Sequence, residues 1–266
     1  MFAAEAFTQA DDRVRGGGSV HEMEVQERIL QHFREHGMVT DHAPILGGQK
    51  NIIALKEGED PELKDEYVIL SAHYDHIGLG TPQDSLGGTG KIHPGADDNA
   101  SGTAVMLELA RRFAAAGAQP RTIVFIGFSA EEAKLQGSRY FVEHPTPLPL
   151  AGLRAVVNLD TVGHLGANNL SILATGTASE WTPIIQGVGF ETGLTIRSIA
   201  GNGESSDQAS FIAKGIPGVQ LFSGANLDYH RPTDTADKVD SAGLVKVAMV
   251  AREIVDYLAQ RPQPLT

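Results

Sequence analysis

Cysteine is absent from the 266 residues. This rules out disulfides and thiolate ligands, so any metal site must be built from nitrogen and oxygen donors. Basic charge is scarce: 21 Lys and Arg stand against 33 Asp and Glu, a formal net charge of −12. That balance argues against a nucleic-acid surface and leaves carboxylates for cations. No apolar run approaches the length of a membrane span, so no membrane partner is expected. The opening M-F-A-A-E-A-F-T-Q-A-D-D lacks the basic start and apolar stretch of a signal peptide, so no export signal is expected in this chain as it stands.

What is present is an ordinary globular composition, 41% hydrophobic, and a length compatible with one catalytic domain. Residues 1–20 read as an N-terminal segment with a flexible-linker composition at Arg15 to Ser19, and residues 21–266 as the domain. A helical pattern runs from about His21 to His36, with Val25, Ile29 and Phe33 on one face. Asn51 to Leu55 and Tyr67 to Ala72 read as neighbouring strands, and Gly78 to Gly95 as a long surface loop. Ser101 to Ala116 has helical spacing at Val105, Leu109 and Phe113, and Thr122 to Phe128 is a continuous apolar strand. A helix within Ala133 to Val142, strands at Val156 to Leu159, Ser171 to Ala174 and Val219 to Phe222, and helices at Trp181 to Val188 and Leu244 to Leu258 complete the pattern. Continuous apolar strands alternating with helices predict an α/β fold, a largely parallel sheet covered on both faces.

In such sheets ligands gather beyond the carboxyl ends of the strands, and chemistry-bearing residues fall there. His73 and Asp75 follow one strand; two apart on an extended chain, they leave the same face, so a carboxylate can orient a ligating imidazole. Glu131 and Glu132 follow another; adjacent side chains diverge, which lets one bind metal while the other serves as a base. Asp160 ends V-V-N-L, where an acid beside a buried strand needs a partner. His230 lies in the loop L-D-Y-H-R-P-T-D-T. Between these sits G-A-D-D-N-A-S-G, Gly95 to Gly102, at a helix entrance. Each piece alone has a plain explanation, as a turn, a helix cap or exposed surface.

Together, H-Y-D-H, G-A-D-D-N-A-S-G, S-A-E-E, N-L-D and D-Y-H-R-P-T-D-T resemble the zinc aminopeptidases with two co-catalytic metals, the bacterial leucyl aminopeptidase group, over about Asn51 to Asp240. The resemblance implies the zinc-dependent exopeptidase fold, a three-layer α/β/α arrangement with a mostly parallel mixed sheet. By motif position it implies two Zn²⁺ ions, His73 and Asp160 on one, Glu132 and His230 on the other, and Asp97 bridging both. Glu131 becomes the general base, Asp75 orients His73, and a cis peptide is expected between Asp97 and Asp98. The implied reaction is removal of N-terminal, apolar residues from peptides with a free N-terminus, by a hydroxide bridging the metals. The family's secreted and periplasmic members are the bacterial counterparts this sequence looks like.

The chain departs from the family at Gln208 and Asn226, where histidine is frequent; both are expected to border the substrate cleft. His76, His93 and His164 read as loop or pocket residues rather than ligands, and Arg231 as a structural partner of nearby acids rather than a clamp for a terminal carboxylate. The alternatives within the same superfamily are a single-zinc glutaminyl cyclase and a carboxypeptidase; outside it stands a catalytically inactive binding domain.

Overall fold

The computed structural model describes residues 19–45, 49–201 and 203–266. The first four residues of the expected linker, Arg15 to Gly18, lie outside that range. Ser19 has a defined role, its hydroxyl accepting from Glu22 N at 3.1 Å as the N-cap of helix α1, Val20–Glu35.

Eight strands form one mixed sheet: β1 Val39–Pro44, β2 Lys50–Lys56, β3 Tyr67–His73, β4 Thr122–Phe128, β5 Leu153–Leu159, β6 Leu170–Leu173, β7 Ile196–Ile199 and β8 Gly218–Phe222. Their order is β1-β2-β4-β3-β5-β8-β6-β7. The centre, β4-β3-β5-β8, is parallel, whereas β1 and β2, β2 and β4, and β6 and β8 pair antiparallel. The expected adjacency of β2 and β3 is therefore corrected. Thr122–Phe128, an apolar run buried at every position, inserts between them and is paired along both edges. Two short strands escaped the apolar pattern. β1, V-T-D-H-A-P, and β7, I-R-S-I, are edge strands with exposed positions, held by the hydrogen-bonded ladder more than by burial.

The alternation of the central strands divides the core. Val68, Leu70, Ile123, Phe125, Ala155 and Val157 face one way, against α1, α2 (Gly102–Ala115), α4 (Trp181–Thr192) and α6 (Ser241–Gln260). Ile69, Val124, Ile126, Phe128 and Val156 face the other, towards α3 (Gln136–Glu143) and α5 (Gln208–Ile212). Three layers result, as the expected fold class requires. Among the described residues no helix is long and apolar enough to cross a membrane.

Helix α1 belongs to this core: Ile29 and Phe33 are fully buried, and the Phe33 ring lies 6.2 Å from that of Phe125. Phe33→Ala is therefore expected to lower the unfolding free energy by about 3–5 kcal/mol, read from urea denaturation followed by circular dichroism; a loss under about 1 kcal/mol would mean that α1 is not part of the core.

Candidate metal centre and cleft

His73 ends β3 with its Nδ1–H donating to the backbone carbonyl of Asp75 at 3.2 Å, which leaves the Nε2 lone pair facing inward. His230 does the same from its loop, Nδ1–H donating to the carbonyl of Asp84 at 2.8 Å. Both Nε2 atoms are buried and make no hydrogen bond. His73 Nε2 lies 3.3 Å from Asp98 Oδ1 and 3.6 Å from Asp160 Oδ1; His230 Nε2 lies 3.0 Å from Asp98 Oδ2 and 3.2 Å from Glu132 Oε2. Ligands held 2.0–2.2 Å from a tetrahedral zinc stand roughly 3.3–3.6 Å apart, so these spacings suit shared cations. Ligand-type atoms of His73, Asp98 and Asp160, and of His76, Asp98 and Glu132, converge as two groups, with Asp98 common to both. The all-oxygen and nitrogen donor set fits zinc.

The structure corrects the expected bridging residue. Asp97 turns away: its Oδ1 accepts from Gly163 N at 2.5 Å and Ser101 Oγ at 3.3 Å, and its Oδ2 from Asn226 Nδ2 at 2.7 Å, with His164 Nδ1 2.8 Å away. Asp98 is the carboxylate presented to both histidines, and the cis peptide joins Asp98 to Asn99 rather than Asp97 to Asp98. Adjacent acids point apart, and sequence alone does not say which faces the cleft. Gly95 makes the turn beforehand with φ +62°, and a Cβ there would strike the Asp98 carbonyl and come within 2.6 Å of the His76 ring.

His76, expected as a pocket residue, sits inside the second group with Nδ1 2.8 Å from Glu132 Oε1 and 3.9 Å from Asp98 Oδ2. His93 does remain in its loop, with Nε2 2.9 Å from Ser85 Oγ. Arg231 makes no ion pair among the described residues and packs against Gly87, so the expected partnership with nearby acids is corrected as well.

Two buried carboxylates fix the backbone that carries these groups. Asp75 accepts from Glu131 N at 3.1 Å and Glu132 N at 3.3 Å; its own Oδ1 is 3.6 Å from His73 Nδ1, so its backbone carbonyl rather than its carboxylate bonds the imidazole. Asp234 performs the same service at the helix entrance, accepting from Asp97 N at 2.9 Å and Asp98 N at 3.1 Å. Backbone strain gathers here too: Ala130, Thr161 and His230 have φ of 57°, 55° and 52°, and each is a site residue or the neighbour of one.

Charge behaves accordingly. Burial alone would lower the pKa of His230, but the carboxylates of Asp98 and Glu132 push it up to about 11. Burial raises Glu131 well above the usual carboxylate range, against the pull of His73 and with the help of Asp160, Asp207 and Glu132. Asp207 is fully buried, neither carboxylate oxygen has a hydrogen-bond partner, and burial pushes its pKa up to about 7. Asp207 thus avoids adding a full charge to the cluster at neutral pH.

The metal groups open onto a cleft of about 950 Å³. Leu86, Leu173, Phe222, Ala225 and Tyr229 give it apolar walls; Asp98, Glu131, Asp160 and Glu204 are its charged lining, and neither Lys nor Arg is among the described residues that line it. The Tyr229 ring stacks on His230, centroids 4.0 Å apart. Asn226 lines the cleft as expected, but Gln208 does not; it is buried behind Gln220.

The sequence pattern of Peptidase family M28 matches residues 51–255. The chain belongs to peptidase family M28. Aminopeptidase YwaD of Bacillus subtilis (strain 168) is 28% identical over 231 residues, 82% of this chain and 46% of that protein. The chain thus spans about half the length of this curated relative. Two solved structures share the fold at 20% identity: the LapA aminopeptidase of Legionella pneumophila, with a TM-score of 0.81 over 98% of this chain and 71% of that one, and the glutaminyl cyclase of Porphyromonas gingivalis, with 0.74 over 96% of each.

Asp234 was not singled out by sequence reasoning, although it stands in the D-Y-H-R-P-T-D-T motif. Asp234→Asn sets an amide donor against a backbone donor beside Asp98. Zinc affinity measured by chelator competition is expected to fall about 10–100-fold, and an unchanged affinity in a folded variant would remove Asp234 from the support of the site.

Proposed function

We propose that the chain is a zinc-dependent aminopeptidase. Its ligands are His73 and Asp160 for one ion, Glu132 and His230 for the other, and Asp98, not Asp97, shared between them. The observation that carries this reading is Asp98 lying between His73 Nε2, itself 3.6 Å from Asp160, and His230 Nε2, itself 3.2 Å from Glu132, in a cleft whose charged lining is acidic. A carboxypeptidase needs a fixed cation for the substrate carboxylate, whereas acids at the cleft suit the ammonium of a free N-terminus. Zinc bound there would supply Lewis-acid polarisation of the scissile carbonyl and acidify water.

The protein's own residues do the rest. Glu131 lines the cleft but is not among the residues of either metal group, so its carboxylate is available to take a proton from the attacking water and return it to the leaving amine. Its raised pKa makes it a stronger base than an exposed glutamate and brings it nearer to neutral pH. Asp75 holds the Glu131 and Glu132 amides, so base and ligand keep a constant separation. Glu204 at the cleft wall offers a carboxylate to the substrate ammonium. The apolar walls cover an apolar N-terminal side chain such as leucine.

Glu131→Gln is expected to keep its zinc, by metal analysis, and to lose roughly 10²–10⁴-fold in turnover on leucyl 4-nitroanilide; near-normal turnover would move the base elsewhere. Chelation should abolish activity and zinc should restore it, so full activity in metal-free protein would refute the metallopeptidase reading. N-acetylated peptides should resist cleavage, and their trimming from the C-terminus at the rate of free peptides would replace the aminopeptidase assignment with a carboxypeptidase.

A further inference from the structure

The cleft contains a polar group that neither the metal groups nor the proposed proton transfers use. Gln220 lies on β8, its Cα paired with Leu173 of β6 on one side and Asn158 of β5 on the other, and it lines the cleft although only 3% exposed. Its Oε1 is occupied from within the protein, accepting from Gln208 Nε2 at 3.1 Å and from the Ser205 hydroxyl. Gln208 Oε1 in turn accepts from Asn158 Nδ2 at 3.1 Å, and Asn158 Oδ1 from the Ser71 hydroxyl at 2.7 Å. With the amides of this run across β3, β5 and α5 lying in these directions, the end of Gln220 left for the cleft is Nε2. That nitrogen donates to no group among the described residues and is not sealed from the cleft. Asp160 follows β5 two residues beyond Asn158, the Cα partner of Gln220, which puts Gln220 roughly 7 Å back along the sheet from the metal groups. An unbranched side chain of four or five heavy atoms covers that distance.

We propose that the cleft selects an N-terminal residue with an unbranched side chain ending in a hydrogen-bond acceptor, glutamine above all. This rests on the aminopeptidase reading and replaces its apolar N-terminal residue with one whose methylenes keep the apolar contact while its end takes the hydrogen bond. Leu173, Phe222 and Ala225 cover the methylenes, and Gln220 Nε2–H donates to the side-chain carbonyl. Leucine or norleucine would strip water from that donor without replacing it, and a site built to hydrogen-bond its substrate discriminates strongly against an analogue lacking the group. Glutamate brings a carboxylate into a cleft whose charged lining is acidic, which repels it. Methionine, with a weakly accepting thioether, falls between.

The test compares kcat/KM of the zinc-loaded protein on glutaminyl, norleucyl and leucyl 4-nitroanilides, norleucine matching glutamine in reach but lacking an acceptor. Glutaminyl anilide is expected to exceed norleucyl anilide by about tenfold or more, and Gln220→Met, similar in size without the donor, to reverse the order. Norleucyl anilide cleaved as well as glutaminyl anilide by the unmodified protein overturns the proposal, as does a glutamine preference that survives in Gln220→Met. If Gln220→Met does not fold, the ratio for the unmodified protein decides alone. Failure to release nitroaniline from any of the three refutes the aminopeptidase reading and this inference with it. Conversion of the glutaminyl anilide to its cyclised form with the anilide bond intact would also overturn both and assign the cyclase reaction.

Discussion

Asp98, Asp160, Glu132 and Glu131 crowd into one buried cleft, and carboxylates at that range repel one another unless protons or cations intervene. Histidine supplies part of the compensation. His73 and His230 point their Nε2 atoms at the two oxygens of one carboxylate, Asp98, which only cations, or a proton on each ring, make favourable. Against its burial, the Asp98 and Glu132 carboxylates accordingly push the pKa of His230 up to about 11. Zinc would compete with that proton for the same lone pair, which ties occupancy of the site to pH through the histidines.

Holding such groups together falls to parts of the chain with no role in bond making. Asp75 and Asp234 each spend both carboxylate oxygens on a pair of consecutive backbone amides, one pair carrying Glu131 and Glu132, the other Asp97 and Asp98. A carboxylate spanning two amides fixes the peptide plane as well as the position, so the side chain beyond has little freedom left to find. The left-handed backbone at Ala130, Thr161 and His230 has the same meaning: these conformations persist only where surrounding contacts over-determine them.

Much of this was legible in the sequence. Long apolar strands such as Thr122–Phe128 and the amphipathic helices announce themselves because burial imposes their pattern. His73, Glu132, Asp160 and His230 could be picked out because each breaks the pattern at a strand end or in a loop. The choice between Asp97 and Asp98 was not legible, since adjacent residues of identical chemistry differ only in direction, and direction is set by Asp234 far along the chain. His76 was legible only as a pocket residue although it closes H-Y-D-H, because the Glu132 carboxylate it meets lies 56 residues away along the chain. The edge strands β1 and β7 were missed because their pairing rests on backbone groups, which every residue carries.

The site is assembled from the ends of β3, β4 and β5, a helix entrance between the first two, and a loop beyond β8. In the unfolded chain these donors are strangers, so a cation that favours their convergence has almost nothing to hold before the sheet has closed. Binding reserved for the folded state stabilises it by mass action, by about 2.7 kcal/mol when the free ion is a hundredfold above its dissociation constant. The free metal around the protein would then govern two things at once, the fraction of molecules able to react and the fraction that remain folded.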